Sequence, residues 1–232
     1  MKSLKVRLAA TALAGLVVLT GCAHDTDAAL RVGDVTVTNA EVDAAAAHVT
    51  EALAPGGVTG VTGQVRGSVV ELRAFLEVAR RYAQEHGVTV DQPDYATAAD
   101  SLGLPQSDAF VRLNAEASAH LDALLAAATP RDATEDEIRT VYDAFLALTG
   151  ANPAEVTFDA IKGELLDVPN YGQALKLRDE LSAAADRYGV VVNPRYQPLS
   201  YALLSVSTQS GRLDLVTLPI GQQGTGAVTP AS

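Results

Sequence analysis

The side chain best placed for covalent chemistry is the chain's single cysteine, Cys22. It follows a basic start (Lys2, Lys5, Arg7) and an apolar run from Leu8 to Thr20, the layout of a secretory signal. The run is shorter than the roughly 20 apolar residues a spanning helix needs. Leu19-Thr20-Gly21-Cys22 has the form of a lipobox, in which the thiol takes a diacylglycerol and the leader is cut before the cysteine. Gly21 gives unhindered access to the cut site and Cys22 gives the alkylatable thiol. Residues 1–21 are therefore expected to be removed. Residues 22–28 are expected to form a lipidated tether, placing the body at the extracytoplasmic face of the cell membrane. With no second cysteine, disulfides and cysteine-rich metal sites are excluded.

Other candidate chemistry is sparse. His24, His48, His86 and His120 are scattered and show no paired metal-ligand spacing. His120 falls on an apolar stripe, where a packed histidine is the expectation. Gly67-Ser68 has no surrounding nucleophile elbow. The glycines at 56, 57, 60 and 63 make a flexible connection that lacks the Lys-Ser/Thr ending of a phosphate loop. No pair of carboxylates stands out for acid–base work, and Arg195 after Asn193-Pro194 is expected to be structural. The sequence thus predicts no catalytic residue, no metal site, no cofactor and no small-molecule substrate.

Charge narrows the partners. All 28 acidic residues follow Cys22 while three of the 17 basic ones precede it, leaving a body of net charge −14 with histidines neutral. Such a body repels phosphate backbones, so nucleic acid is not an expected partner. Alanine is abundant and tryptophan absent, which favours closely packed helices.

The elements that would carry any site are mainly helical. Ala29–Val32 and Val35–Thr38 read as a hairpin around Gly33-Asp34. Thr38 and Glu41 form a capping box for a helix with Val42, Ala45, Ala46, Val49 and Leu53 on one stripe. A long helix is expected from about Gln64 to His86, and a short one over Asp94–Leu102, stopped by Gly103. Another is expected from a Ser107 cap to about Ala128, with Phe110, Leu113, Ala117, His120, Leu121 and Leu124 on its stripe. Thr134 and Glu137 form a second capping box, Thr157 caps a shorter helix to Leu166, and a last helix spans about Pro169–Tyr188. Val190–Val192 fits a buried strand and Asn193–Tyr196 must turn. Tyr201–Val206 and Leu213–Leu218 fit strand, helix or neither. Residues 29–220 are read as one domain and 221–232 as a disordered tail.

Leu30–Val42, with its strand, tight turn, second strand and Thr-x-x-Glu-capped helix, resembles the start of the SurA-type N-terminal chaperone domain. Ala133–Tyr142 is similar to that family's later helix, and Tyr188–Tyr196 to its closing element. The resemblance covers roughly Ala29 to Tyr196, and Gln197-Pro198 departs from it. It implies a helical lobe with a small sheet joining the N-terminal hairpin to a strand after the last helix. Fuller members insert a parvulin-type isomerase domain. Here Ala151–Val156 is all that separates two helices, far short of the roughly 50 residues a domain takes.

The reading that follows is a membrane-anchored, non-catalytic, chaperone-like lipoprotein. Its expected partners are unfolded or extended exported polypeptides, with basic segments favoured by the acidic surface. Which residues bind them is not legible in the sequence. Two rivals stay open: a lipoprotein dedicated to one cell-envelope partner, and an isomerase whose active site has no recognisable motif.

Overall fold

A computed structural model of the chain describes residues 27–53 and 61–221. The leader, Cys22, the tether up to Thr26, part of the glycine loop and the tail from 222 lie outside the described residues. The elements run β1 (Ala28–Val32), β2 (Val35–Thr38), α1 (Asn39–Leu53), α2 (Val61–His86), α3 (Tyr95–Leu102) and α4 (Ala109–Ala127). There follow α5 (Glu135–Thr149), α6 (Phe158–Leu166), α7 (Tyr171–Tyr188), β3 (Val190–Val192), a 3-10 turn (Pro194–Tyr196), β4 (Leu199–Thr208) and β5 (Gly211–Ile220). The fold is mainly α, with a small sheet that joins the N-terminal hairpin to the strand after the last helix.

That sheet has the order β2-β1-β3, all antiparallel, with Leu30 opposite Val192 and Val32 opposite Val190. The β1–β2 turn needs Gly33 at φ +59°, and a Cβ there would press on the Arg81 guanidinium. Arg81, from α2, donates to the Val32 carbonyl at 3.1 Å and pairs with Asp34, so the hairpin is clamped to the helix beneath it. Thr38 and Glu41 make the expected capping box: the Thr38 N–H donates to Glu41 Oε2 at 2.7 Å, and the Glu41 N–H donates to Thr38 Oγ1 at 3.2 Å.

Helix α2 is the central post. The expected stripe of Val69, Leu72, Leu76 and Ala79 is buried, and so are Val70, Ala74, Phe75 and Val78, because α1, α4, α7, β1 and β4 all pack around it. A helix enclosed on several sides is apolar on several sides. The capping box at Thr134 and Glu137 is present, Thr157 caps α6, and Gly189 at φ +65° ends α7.

Two expectations need correcting, and a third choice left open, strand, helix or neither after Tyr196, is decided. Asp108, not Ser107, caps α4, its Oδ1 accepting from the Phe110 N–H at 2.8 Å. Val190–Val192 is not a buried run: alternation along a strand puts Val191 on the outer face, 62% exposed, and only Val192 is fully buried. The stretches after Tyr196 are two paired ten-residue strands, β4 and β5, whose Leu199, Leu203, Leu213, Leu215, Val216, Leu218 and Ile220 complete the core against α2 and α7. The pairing slips around Leu203 and Leu204, so the period-two pattern breaks in mid-strand.

Candidate functional site

An open concavity lies beside α4. Asp94 caps α3, accepting from the Thr97 N–H at 3.0 Å and from the Thr97 hydroxyl at 2.7 Å, and Gly103 at φ +65° ends the helix after two turns. Of this short helix only Ala99 is fully buried. It is fastened near the start of α4: the Arg112 guanidinium lies 4.7 Å over the Tyr95 ring, and the Tyr95 hydroxyl reaches Glu116 at 3.5 Å. Beyond those contacts α3 and the connection from Gly87 to Asp94 stand off from α4. They leave an open groove of about 1030 Å³.

One wall is a face of α4 that carries Ala115, Ser118, Ala119, Asp122, Ala123, Ala126 and Ala127. At a rise of about 1.5 Å per residue this strip extends roughly 17 Å. The opposite face of α4, with Phe110, Leu113, Ala117 and Leu124, is the one packed into the core. The facing wall is formed by Val88, Thr89, Asp91, Thr97, Ala98, Ser101 and Leu102, of which Leu102 is 37% exposed. The surface is shallow and built of small side chains. Three aspartates, Asp91, Asp94 and Asp122, line it, and the described lining includes no lysine or arginine.

The three described histidines, His48, His86 and His120, each have separate surroundings. His86 lines the groove, but its Nδ1–H donates to the Tyr82 carbonyl at 2.8 Å and its ring stacks on Tyr82 at 3.9 Å. His120 donates in the same way to the Glu116 carbonyl at 2.8 Å, a structural placement. His48 Nδ1 donates to Asp108 Oδ2 at 2.7 Å, tying α1 to the start of α4. His24 lies outside the described residues. No cluster of three His, Cys, Asp or Glu side chains able to hold a metal occurs among the described residues. Arg195 sits in the 3-10 turn beside Tyr196, whose hydroxyl donates to Asn39 Oδ1 at 2.9 Å.

Two polar clusters were not visible in the sequence. Arg131 and Arg178 converge on Glu137: Arg131 donates at 2.5 and 3.0 Å and Arg178 at 2.5 Å, while Arg131 also reaches Asp179 at 2.7 Å. The Arg131 hydrogen bonds, helped by the Thr134 backbone and Arg178, hold the Glu137 carboxyl far below the carboxylate range. A group so fixed as an anion is structural. It borders a smaller cavity of about 150 Å³, which Tyr171 and Asp214 also line.

The second cluster is Glu71 on α2 with Asp214 and Arg212 on β5. Burial first, and the Asp214 charge second, push the Glu71 carboxyl up to about 7, with Arg212 opposing. Glu71 thus stands well above the ordinary carboxylate range. It lines neither cavity, however, and offers no contact with a molecule lying in the groove. Partly buried Tyr201, stacked on Phe75 at 3.9 Å, belongs to the same neighbourhood.

Compared with protein-family models, with curated proteins and with solved structures, the chain matches none. Among the described residues no helix is long and apolar enough to cross a membrane.

Proposed function

We propose that this chain is a lipid-anchored holding module of the SurA-type chaperone class, tethered at the outer face of the cell membrane through Cys22, which binds extended segments of exported polypeptides without catalysing a reaction. The observation that carries this reading is the groove along α4. It is open, about 17 Å long by the helical rise, and walled by small side chains that let a peptide backbone approach closely. An extended strand advances about 3.3 Å per residue, so the groove accommodates roughly five residues. Contacts with alanine and serine walls are individually weak. That suits a binder which must release its client without nucleotide or cofactor. Tethering raises the local concentration of such weak sites near emerging chains.

The test is a light-scattering assay in which the purified protein meets a chemically unfolded client, with a prolyl-isomerisation assay on the same sample. Aggregation suppressed at near-stoichiometric ratios, without isomerase turnover, is the expected result. Absence of suppression rejects general holding and leaves the dedicated-partner reading, to be pursued by crosslinking at the membrane. Turnover on a proline peptide rejects the non-catalytic assignment.

A further inference from the structure

The groove's charges carry more than its shape. Most of the protein's cations are already committed: Arg66, Arg80, Arg81, Arg131, Arg139, Lys176, Arg178, Arg187 and Arg212 each pair with a carboxylate. At the groove the balance is different. Asp122 projects from the α4 wall and Asp91 from the facing wall, both exposed and neither with a hydrogen-bond or ion-pair partner among the described residues. Asp94 adds a third negative charge, although its oxygens are occupied in capping α3. A segment lying between the walls would meet an uncompensated carboxylate on either side.

We propose that the groove along α4 selects extended polypeptide segments in which a short run of small apolar residues is flanked by lysine or arginine. This rests on the holding reading and specifies its client. The apolar run lies against Ala115, Ala119, Ala123 and Ala126, whose methyl groups let the backbone of a small-residue segment come close to the helix. The flanking ammonium or guanidinium groups reach Asp91 and Asp122. The same charges repel segments flanked by aspartate or glutamate, and that repulsion narrows choice as much as the attraction does. Both carboxylates are solvent-exposed, so each contributes modestly, roughly threefold in affinity, and the preference weakens as salt screens it.

The experiment measures fluorescence anisotropy of three labelled seven-residue peptides with one alanine–valine centre and lysine, serine or glutamate at both ends. The purified protein is titrated against each at low and high salt. The expected order is lysine, serine, glutamate, with about a tenfold step on either side of serine at low salt that contracts at high salt. The double variant Asp91→Asn/Asp122→Asn brings the affinities of the three peptides together, and an order that persists in this variant would overturn the assignment to these two carboxylates. Asp94 is left intact because its loss would uncap α3. Two groove-filling variants at exposed wall positions, Ser118→Trp and Ala126→Trp, are expected to weaken all three peptides, with far-UV circular dichroism confirming the fold. Equal binding of the three peptides, blocked by the tryptophans, would overturn the charge selection while leaving the holding reading intact. Binding indifferent to the tryptophans would overturn the assignment to this groove. No binding of any peptide, together with no suppression of aggregation, would remove both.

Discussion

Replacing Glu71 by Gln is expected to stabilise the protein, and only at neutral and alkaline pH. The carboxyl is partly buried between α2 and the β4–β5 hairpin, and it titrates near 7 where an unfolded-chain glutamate titrates at 4.5. Because the folded state holds the proton more tightly, the penalty for ionisation is absent below about pH 4.5. It grows as pH rises and is complete above about pH 7. At 1.36 kcal/mol per tenfold change, the whole displacement would correspond to about 3 kcal/mol. The site keeps considerable contact with water, and screening reduces this to about 1–2 kcal/mol.

Urea unfolding followed by circular dichroism, at pH 8 and at pH 4.5, reads this directly. The midpoint should rise in Glu71→Gln at pH 8 with an unchanged slope, and the two proteins should coincide at pH 4.5. Asp214→Asn removes the second cause but also weakens the bonds Asp214 receives from Arg212 at 2.9 Å and Ser205 at 2.7 Å, so its gain should be smaller or absent. A Glu71→Gln protein that is less stable at pH 8, or stabilised equally at both pH values, would refute the argument that desolvation of the anion dominates.

Other expectations follow from the same contacts. Asp108→Ala should cost about 1–3 kcal/mol, since the carboxylate both caps α4 and binds His48, while Ser107→Ala should be nearly neutral; thermal unfolding of the pair distinguishes them. Glu137→Gln should destabilise at neutral pH by about 3 kcal/mol, as two guanidinium groups lose a shared anion. Because the Glu137 carboxyl is held low, its contribution is full above the unfolded value of 4.5 and is lost as pH falls through the folded one; acid titration of stability should therefore be flatter in the variant. Tyr142→Phe removes the hydroxyl's 2.8 Å bond to the Val156 carbonyl and should cost about 1 kcal/mol in urea unfolding. Cys22→Ser should shift the chain from the membrane to the soluble fraction after cell breakage, and retention at the membrane would contradict lipid anchoring.

What the sequence made legible was local. Both capping boxes, the Gly33 turn and the terminating Gly103, Gly150 and Gly189 announce themselves within four or five residues, and each is where its motif placed it. The return of β3 beside β1 followed from the resemblance at the chain's two ends and is present. The β4–β5 hairpin stayed ambiguous because the slip around Leu203 and Leu204 destroys the alternation on which strands are recognised. Ser107 and Asp108 are both good capping residues. Choosing between them depends on His48, 60 residues upstream, which gives the buried Asp108 carboxylate a partner.

The groove was illegible for a further reason, and that reason bears on its use. Alanine contributes little to a helical stripe, so α4 reads as a helix with one apolar face, Phe110 through Leu124, and an unremarked remainder. The remainder becomes a surface because α3 is short and is pinned to α4 at Tyr95, Arg112 and Glu116, leaving the following turns uncovered. A helix meant to pack against a fixed neighbour fills its contact face with leucine or phenylalanine, which interlock with one partner. A face of alanine and serine interlocks with none in particular and excludes few, so its selectivity must come from the charges at its margins. Asp91 and Asp122 are the residues placed to supply it. For that reason the peptide series, rather than any single client, discriminates best between a general holding surface and a dedicated docking face: a dedicated face would respond to one sequence and ignore its charge-matched scrambles.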